Sequence, residues 1–193
     1  MAYAIVLKNL YPKTMKVSLL DRDGGKKVVV PNRHDLAPGM VISYTTRFNN
    51  QQMLFAQGVE LVDQPSTTSF DELVFVHHVL ELTHYFAPLE QPITGLYELL
   101  GLMYRKPYLF AATAYKKIFL AHLFILFGMW PRDKKLQLFF SQSFVLKPLD
   151  IADSNNVQLI HEQALNAWLR ECVTLHPVSE QFKALDFWKV EIV

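Results

Sequence analysis

The spacing of apolar residues changes character near residue 65. Before it, short apolar runs alternate with polar positions and are separated by Asn, Asp, Gly and Pro, the period-two signature of half-buried strands. Ala4–Leu7 opens the pattern. In Thr14–Leu20, Met15, Val17 and Leu19 are expected on one face, with Thr14, Lys16 and Ser18 on the other. Asp21-Arg22-Asp23-Gly24-Gly25 reads as a hairpin turn, because a glycine pair supplies positive φ between two strands. Lys26–Val30, Met40–Phe48 and Gln52–Val62 complete the set, with a turn at Asn49-Asn50 and a bulge or bend expected at Gly58. Five short strands in so little chain suit a small closed barrel better than an open sheet.

After the boundary at Asp63–Thr68 the period becomes helical. Ser69 with Glu72 three residues on forms a capping box, which starts a helix running to about Phe86. Its polar stripe is His77, Glu81 and His84, with His78 alongside; Pro88 and Pro92 follow. Thr94–Tyr104 predicts a second helix, with Arg105 and Lys106 at its negative end and Pro107 after it. From about Phe110 a third helix enters a run, Ile118–Trp130, that only His122 and Gly128 interrupt. A helix apolar on every side belongs inside a core, and this run is too short to span a bilayer, so we expect the other helices to pack around it and Pro131 to stop it. Leu136–Leu146 alternates and then breaks, which predicts a short hairpin or irregular arm. Ser154 or Asn155 begins an amphipathic helix with the stripe Val157, Ile160, Ala164, Leu165, Trp168, Cys172 and Leu175. Pro177 stops it, and Ser179 caps a last short helix through Phe182 and Leu185. The fold class is therefore α+β: a five-stranded OB-fold-like β-barrel over residues 1–64, then an all-helical domain over 65–193.

Charge adds a direction to this outline. The net charge is only +1, but residues 1–33 hold seven basic side chains against two acidic ones, and residues 105–135 hold seven against one. Two basic stretches on a near-neutral chain point to localised anion recognition. Small barrels of this kind bind single strands with cations along the backbone and aromatics under the bases. The candidates are Lys13, Lys16, Arg22, Lys26, Lys27, Arg33 and Arg47, with Tyr11, Tyr44 and Phe48 for stacking. The competing fate of those aromatics is to fill the barrel.

Candidate chemistry is sparse. There is no nucleophile elbow, phosphate-binding glycine loop, dinucleotide fingerprint or H-E-x-x-H pair, so a binding protein rather than an enzyme is expected, with no cofactor. His77, Glu81 and His84 share one helix face and could hold a metal, although a hydrogen-bonded polar seam explains them better. Cys172 and His176 form another i, i+4 pair, but Cys172 belongs to an apolar stripe; His122 reads as a satisfied buried histidine. A single cysteine excludes an internal disulfide and suits a reducing cytoplasm. The N-terminus MAYAIVLKNLYPK lacks a secretory pattern, so no leader is expected, and no membrane partner.

The order of these pieces resembles the bacterial recombination mediator RecO family. The opening Ala4-Ile5-Val6-Leu7, Tyr11 and the polar turn Asp21–Lys26 are similar to that family's first strands. Phe70–Phe86 with Pro92 and Leu96-Tyr97-Glu98-Leu99-Leu100 is similar to its first helices, and Tyr115–Leu120 running on to Leu126–Pro131 to its central helix. The resemblance implies a non-enzymatic DNA-repair protein of the cytoplasm, associated with the nucleoid. Such a protein binds and anneals single-stranded DNA, docks on the acidic C-terminal tail of single-strand-binding protein, and joins RecR to load RecA. It places tail binding at the basic start of the central helix, Lys116 and Lys117, and the basic turn Arg132, Lys134 and Lys135 is a further candidate for the tail. The chain departs from the family where Pro31–Asp35 carries little charge in place of a strongly basic loop, and where Pro131–Leu146 has no zinc-binding cysteines. The first departure motivates an alternative, a protein-interaction adaptor that has lost DNA binding.

Overall fold

The computed structural model describes residues 1–49, 53–66, 69–145 and 162–182. The apolar alternation folds as five strands, β1 (Ala2–Asn9), β2 (Val17–Asp21), β3 (Gly25–Pro31), β4 (Val41–Phe48) and β5 (Leu54–Asp63). They close into a barrel in the order β1-β2-β3-β5-β4, with β4 returning to β1. β3 and β5 are parallel and every other pairing is antiparallel, an OB-like arrangement that leaves no open edge. Small and branched side chains, among them Ala4, Val6, Leu19, Val29 and Ile42, fill the interior. Gly58 adopts φ +59° where the β4–β5 register shifts, the bulge expected there. The Asn49 backbone closes the β4–β5 turn by donating to the Met53 carbonyl at 3.1 Å; Asn50, Gln51 and Gln52 lie outside the described residues.

The second face of the first two strands departs from the alternation. Ile5 and Leu7 are buried along with Ala4 and Val6, and Ser18 is as buried as Leu19. The cause is α1 (Phe70–Phe86), which packs on β1 and takes away the solvent that the polar face of β2 was expected to meet. Ser69 caps α1, its Oγ accepting from the Glu72 amide at 3.2 Å. α2 (Leu96–Arg105) follows, two residues later than its apolar pattern suggested, because Gly95 takes a left-handed conformation at the N-cap. Two links tie these elements to the barrel. Tyr104 on α2 donates its hydroxyl to the Gly39 carbonyl at 2.6 Å, and the Glu90 amide donates to the Lys26 carbonyl at 2.8 Å. Gly25, at φ +73°, is required beside that second link, since a Cβ there would run into the Gln91 carbonyl.

The chain divides into two compact units, Met1–Pro107 and Tyr108–Val193, so α1 and α2 belong with the barrel. In the second unit α3 (Thr113–Leu126) is buried at every position from Tyr115 to Ile125, as a helix apolar all round must be. It stops five residues before Pro131. Gly128, at φ +83°, turns the chain back, with its amide on the Ile125 carbonyl and the Met129 amide on the Phe124 carbonyl, both at 2.9 Å. Residues expected to form a hairpin or irregular arm are instead helical, α4 (Lys134–Val145). Asp133 accepts from the Lys135 and Leu136 amides at 2.9 and 3.0 Å, and Leu136 and Phe140, one turn apart, are both buried. α5 (Glu162–Thr174) buries Leu165, Trp168 and Cys172; the expected positions Ser154, Asn155, Val157 and Ile160 lie outside the described residues. Leu175 falls just past α5 and is exposed, and Ser179 opens a short 3-10 turn rather than capping it; Leu185 is outside the described residues. No helix among the described residues is long and apolar enough to cross a membrane.

Candidate nucleic-acid interface

Pairing around the barrel brings distant residues into one row. Asn9 faces Val17, Val17 faces Val29, and one step along β3 Val30 faces Phe55, which faces Arg47. Where β1, β2 and β3 meet on this row, a cavity of about 300 Å³ opens between Asn9, Tyr11, Met15, Val17, Pro31, Arg33, His34 and Leu36. Val17 and Leu36 are buried and make its floor, whereas Tyr11 and Met15 are exposed at its mouth. Phe48 is exposed as well, next to Arg47 at the end of β4. Tyr11 and Phe48 can therefore offer ring faces to a ligand. Tyr44 cannot: it is fully buried in the barrel, where its hydroxyl donates to Asp21 at 2.6 Å.

The seven candidate cations fall into two groups. Lys13 and Arg47 are exposed and Lys16 partly so, and none of the three forms an ion pair with another described side chain. The other four have partners. Arg22 pairs with Asp23 and lies over the Tyr3 ring, and Arg33 pairs with Asp35. Lys27 points into the barrel end, 3.3 Å from the buried Asp21 carboxylate. Lys26 reaches back to the His84 carbonyl at 2.7 Å, where a cation favours the C-terminus of α1. Lys26 and Lys27 were neighbours in a basic run, yet they serve opposite faces of β3. A charge count cannot separate them; alternation along a strand does.

His84 sits in the seam between α1 and the barrel, its Nδ1 2.9 Å from Ser18 Oγ, and Lys8 lies nearby with its ammonium 2.8 Å from the Tyr85 hydroxyl. Burial, then the charges of Lys8 and Lys26, push the His84 imidazole down to about 4. The ring is thus neutral in the folded protein at pH 7, whereas the unfolded chain takes up a proton near pH 6.5. Stability is therefore expected to fall as pH drops from about 6.5 towards 4, by about 1 kcal/mol between pH 7 and pH 5 from this group, since water reaching part of the ring screens it. Urea unfolding at both pH values checks this: His84→Asn should show a smaller fall than the unchanged protein, and an equal fall would refute it. Among the described residues no three His, Cys, Asp or Glu side chains converge as metal ligands, and His84 faces Ser18 rather than completing a site with His77 and Glu81.

In the second unit the candidate tail-binding cations also differ. Lys116 and Lys117 are buried on α3, and Lys117 donates to Glu162 of α5 at 2.7 Å. Arg132, Lys134 and Lys135 are exposed around the start of α4, Arg132 lying 3.7 Å from Glu171. Trp130 and Leu138, also exposed, lie near them in sequence. His122 is held on α3 by the Ile118 carbonyl at 2.9 Å and meets the Phe140 ring edge-on. Burial raises the Cys172 thiol to about 12, so it stays protonated in the core. Sequence reading missed the cavity. Asn9, Met15 and Leu36 converge only through barrel closure; Met15, expected on the apolar face of a strand with Val17 and Leu19, instead precedes β2 and is exposed. No protein-family model matches the chain, and no curated protein matches it.

Proposed function

We propose that the protein binds single-stranded nucleic acid across the cavity end of its barrel and acts as a recombination mediator of the RecO kind. In this reading it anneals single strands, docks on the acidic tail of single-strand-binding protein and cooperates with a RecR-like partner in loading RecA; it is a binding protein, not a catalyst. The observation that carries the reading is the closed OB-like barrel, with exposed Tyr11 and Phe48 and with Lys13, Lys16 and Arg47 unengaged by described carboxylates. Rings stack on bases irrespective of sequence, and ammonium and guanidinium groups follow the phosphates. For the tail, exposed Arg132, Lys134 and Lys135 near Trp130 and Leu138 supply cations and apolar surface.

Fluorescence anisotropy with a labelled oligonucleotide of about 12 nucleotides, a length one such barrel covers, tests the reading. Affinity should fall with salt at a slope of about −0.7 per phosphate neutralised, giving about −2 for three contacts. The double variant Lys13→Glu, Lys16→Glu should bind at least ~10-fold more weakly, a loss of about 1.4 kcal/mol. Binding indifferent to salt would refute the cation contacts. No binding at all would favour the second reading, an interaction adaptor. The internal engagement of Arg22, Lys26, Lys27 and Arg33 supports that alternative.

A further inference from the structure

The barrel-end cavity is built for more than a phosphate. Its floor and walls are apolar, from Val17, Pro31, Leu36, Met15 and the Tyr11 ring, while Asn9, Arg33 and His34 place polar groups among them. Asn9 spends its side-chain oxygen on the Tyr11 amide at 2.9 Å, which leaves its amide hydrogens as donors and fixes the loop that carries Tyr11. Asp35 takes the Nε and Nη2 donors of the Arg33 guanidinium, holding a flat cation beside the opening with Nη1 left for a ligand. A phosphate alone would seek donors and gain nothing from a greasy floor. An aliphatic side chain would leave the amide donors of Asn9 without acceptors, which is costly once water is expelled. A flat heteroaromatic ring with apolar faces and polar edges satisfies both, and about 300 Å³ lies at the lower limit of ligand pockets, room for one such ring.

We infer that this cavity receives a single nucleobase extruded from a bound strand, stacked against Tyr11 and held at its edge by Asn9 and Arg33. The inference rests on the strand-binding reading above and deepens it. Lys13 lies two residues from both Tyr11 and Met15, and Lys16 adjoins Met15 and Val17, so both cations are carried by the loop that forms the cavity wall. The phosphates flanking the inserted base would run past them. A base taken up this way anchors the strand at one point, with the other bases left for pairing.

Anisotropy with two oligonucleotides of equal length tests the inference, one of oligothymidine and one abasic throughout, so that both carry the same phosphates. The unchanged protein should bind the base-bearing strand about 10-fold more tightly, as expected for one good stacking contact. Tyr11→Ala removes the stacking ring and Met15→Trp fills the cavity. Both positions are exposed, so neither change should unfold the barrel. Each variant should remove most of the advantage of the base-bearing strand, with only the smaller share that Phe48 can supply remaining, and should weaken abasic binding far less. Equal affinity of the unchanged protein for the two strands would overturn the base pocket yet leave strand binding standing. Binding of neither strand would overturn both readings. Free thymidine monophosphate binding as tightly as the oligonucleotide would overturn the strand as the source of the base.

Discussion

Replacing Asp21 by alanine is expected to cost the barrel about 3–5 kcal/mol, the loss that follows when one partner of a buried charged pair is removed. Asp21 ends β2 and is only 4% exposed. Its carboxylate accepts from the Tyr44 hydroxyl at 2.6 Å and from the Gly24 and Asp23 amides at 2.6 and 3.1 Å, and Lys27 lies 3.3 Å away. Alanine would leave the Tyr44 hydroxyl buried without its acceptor, Lys27 without its counter-charge, and the hairpin turn without the oxygen that shapes it. Tyr44→Phe, which removes one hydrogen bond and retains the ring, should cost only about 1 kcal/mol. Burial by itself would raise the Asp21 carboxyl. The Tyr44 hydroxyl, the two turn amides and Lys27 outweigh it, so the group titrates below its ordinary value of 3.8. A depressed carboxylate stabilises the fold above that value, and its contribution is lost as pH falls through the folded pKa. Equilibrium unfolding followed by amide exchange in the strands checks the size, and repeating it near pH 3 checks the sign. A gap between Asp21→Ala and the unchanged protein that fails to narrow in acid would mean that the carboxylate is not the source.

The second large effect belongs to the other unit. Phe124 on α3 is fully buried, so Phe124→Ala removes a whole ring from a helix with core on every side. Such truncations cost about 3–5 kcal/mol, and the upper part of that range is expected where the surroundings cannot close over the void. The ring is enclosed in a segment whose neighbours Leu123 and Ile125 are also buried, which limits collapse into the space. Phe124→Leu, which retains most of the volume, should lose less than half as much. The chain offers its own reporter: Trp130, Trp168 and Trp188 are its three tryptophans, and all lie beyond Pro107 in sequence. Tryptophan emission during urea unfolding therefore reads this unit, and an alanine variant whose midpoint stays put would contradict the packing described for α3.

Much of the architecture could be read before any coordinates. Period-two runs separated by Asn, Asp and Gly are enough for five short strands, because alternation and turn chemistry are local properties of the backbone. The cap at Ser69 is equally local, a side chain and an amide three residues apart. α4 escaped the same reasoning because Leu136, Leu138 and Phe140 alternate like a strand, and only Leu136 and Phe140 are buried while Leu138 faces outward. Pro131 is the stop that the sequence predicts for α3, but Gly128, with its positive φ, ends the helix first.

The candidate interface was legible in kind and not in detail. Composition marked the N-terminal strands as basic, yet which cations remain outside depends on what each strand face meets. Lys26 meets the end of α1, Lys27 meets Asp21, and Lys13, Lys16 and Arg47 meet no described counter-charge. Tyr44 and Tyr11 look alike in a list of aromatics, and the barrel swallows one and exposes the other. The amino-acid order alone determined the strands, the first helix and the surplus of positive charge, all of which depend on neighbours a few residues apart. Barrel closure and helix docking decided which side chains are spent on the fold and which line a cavity, because burial and ion pairing depend on residues brought together from far along the chain.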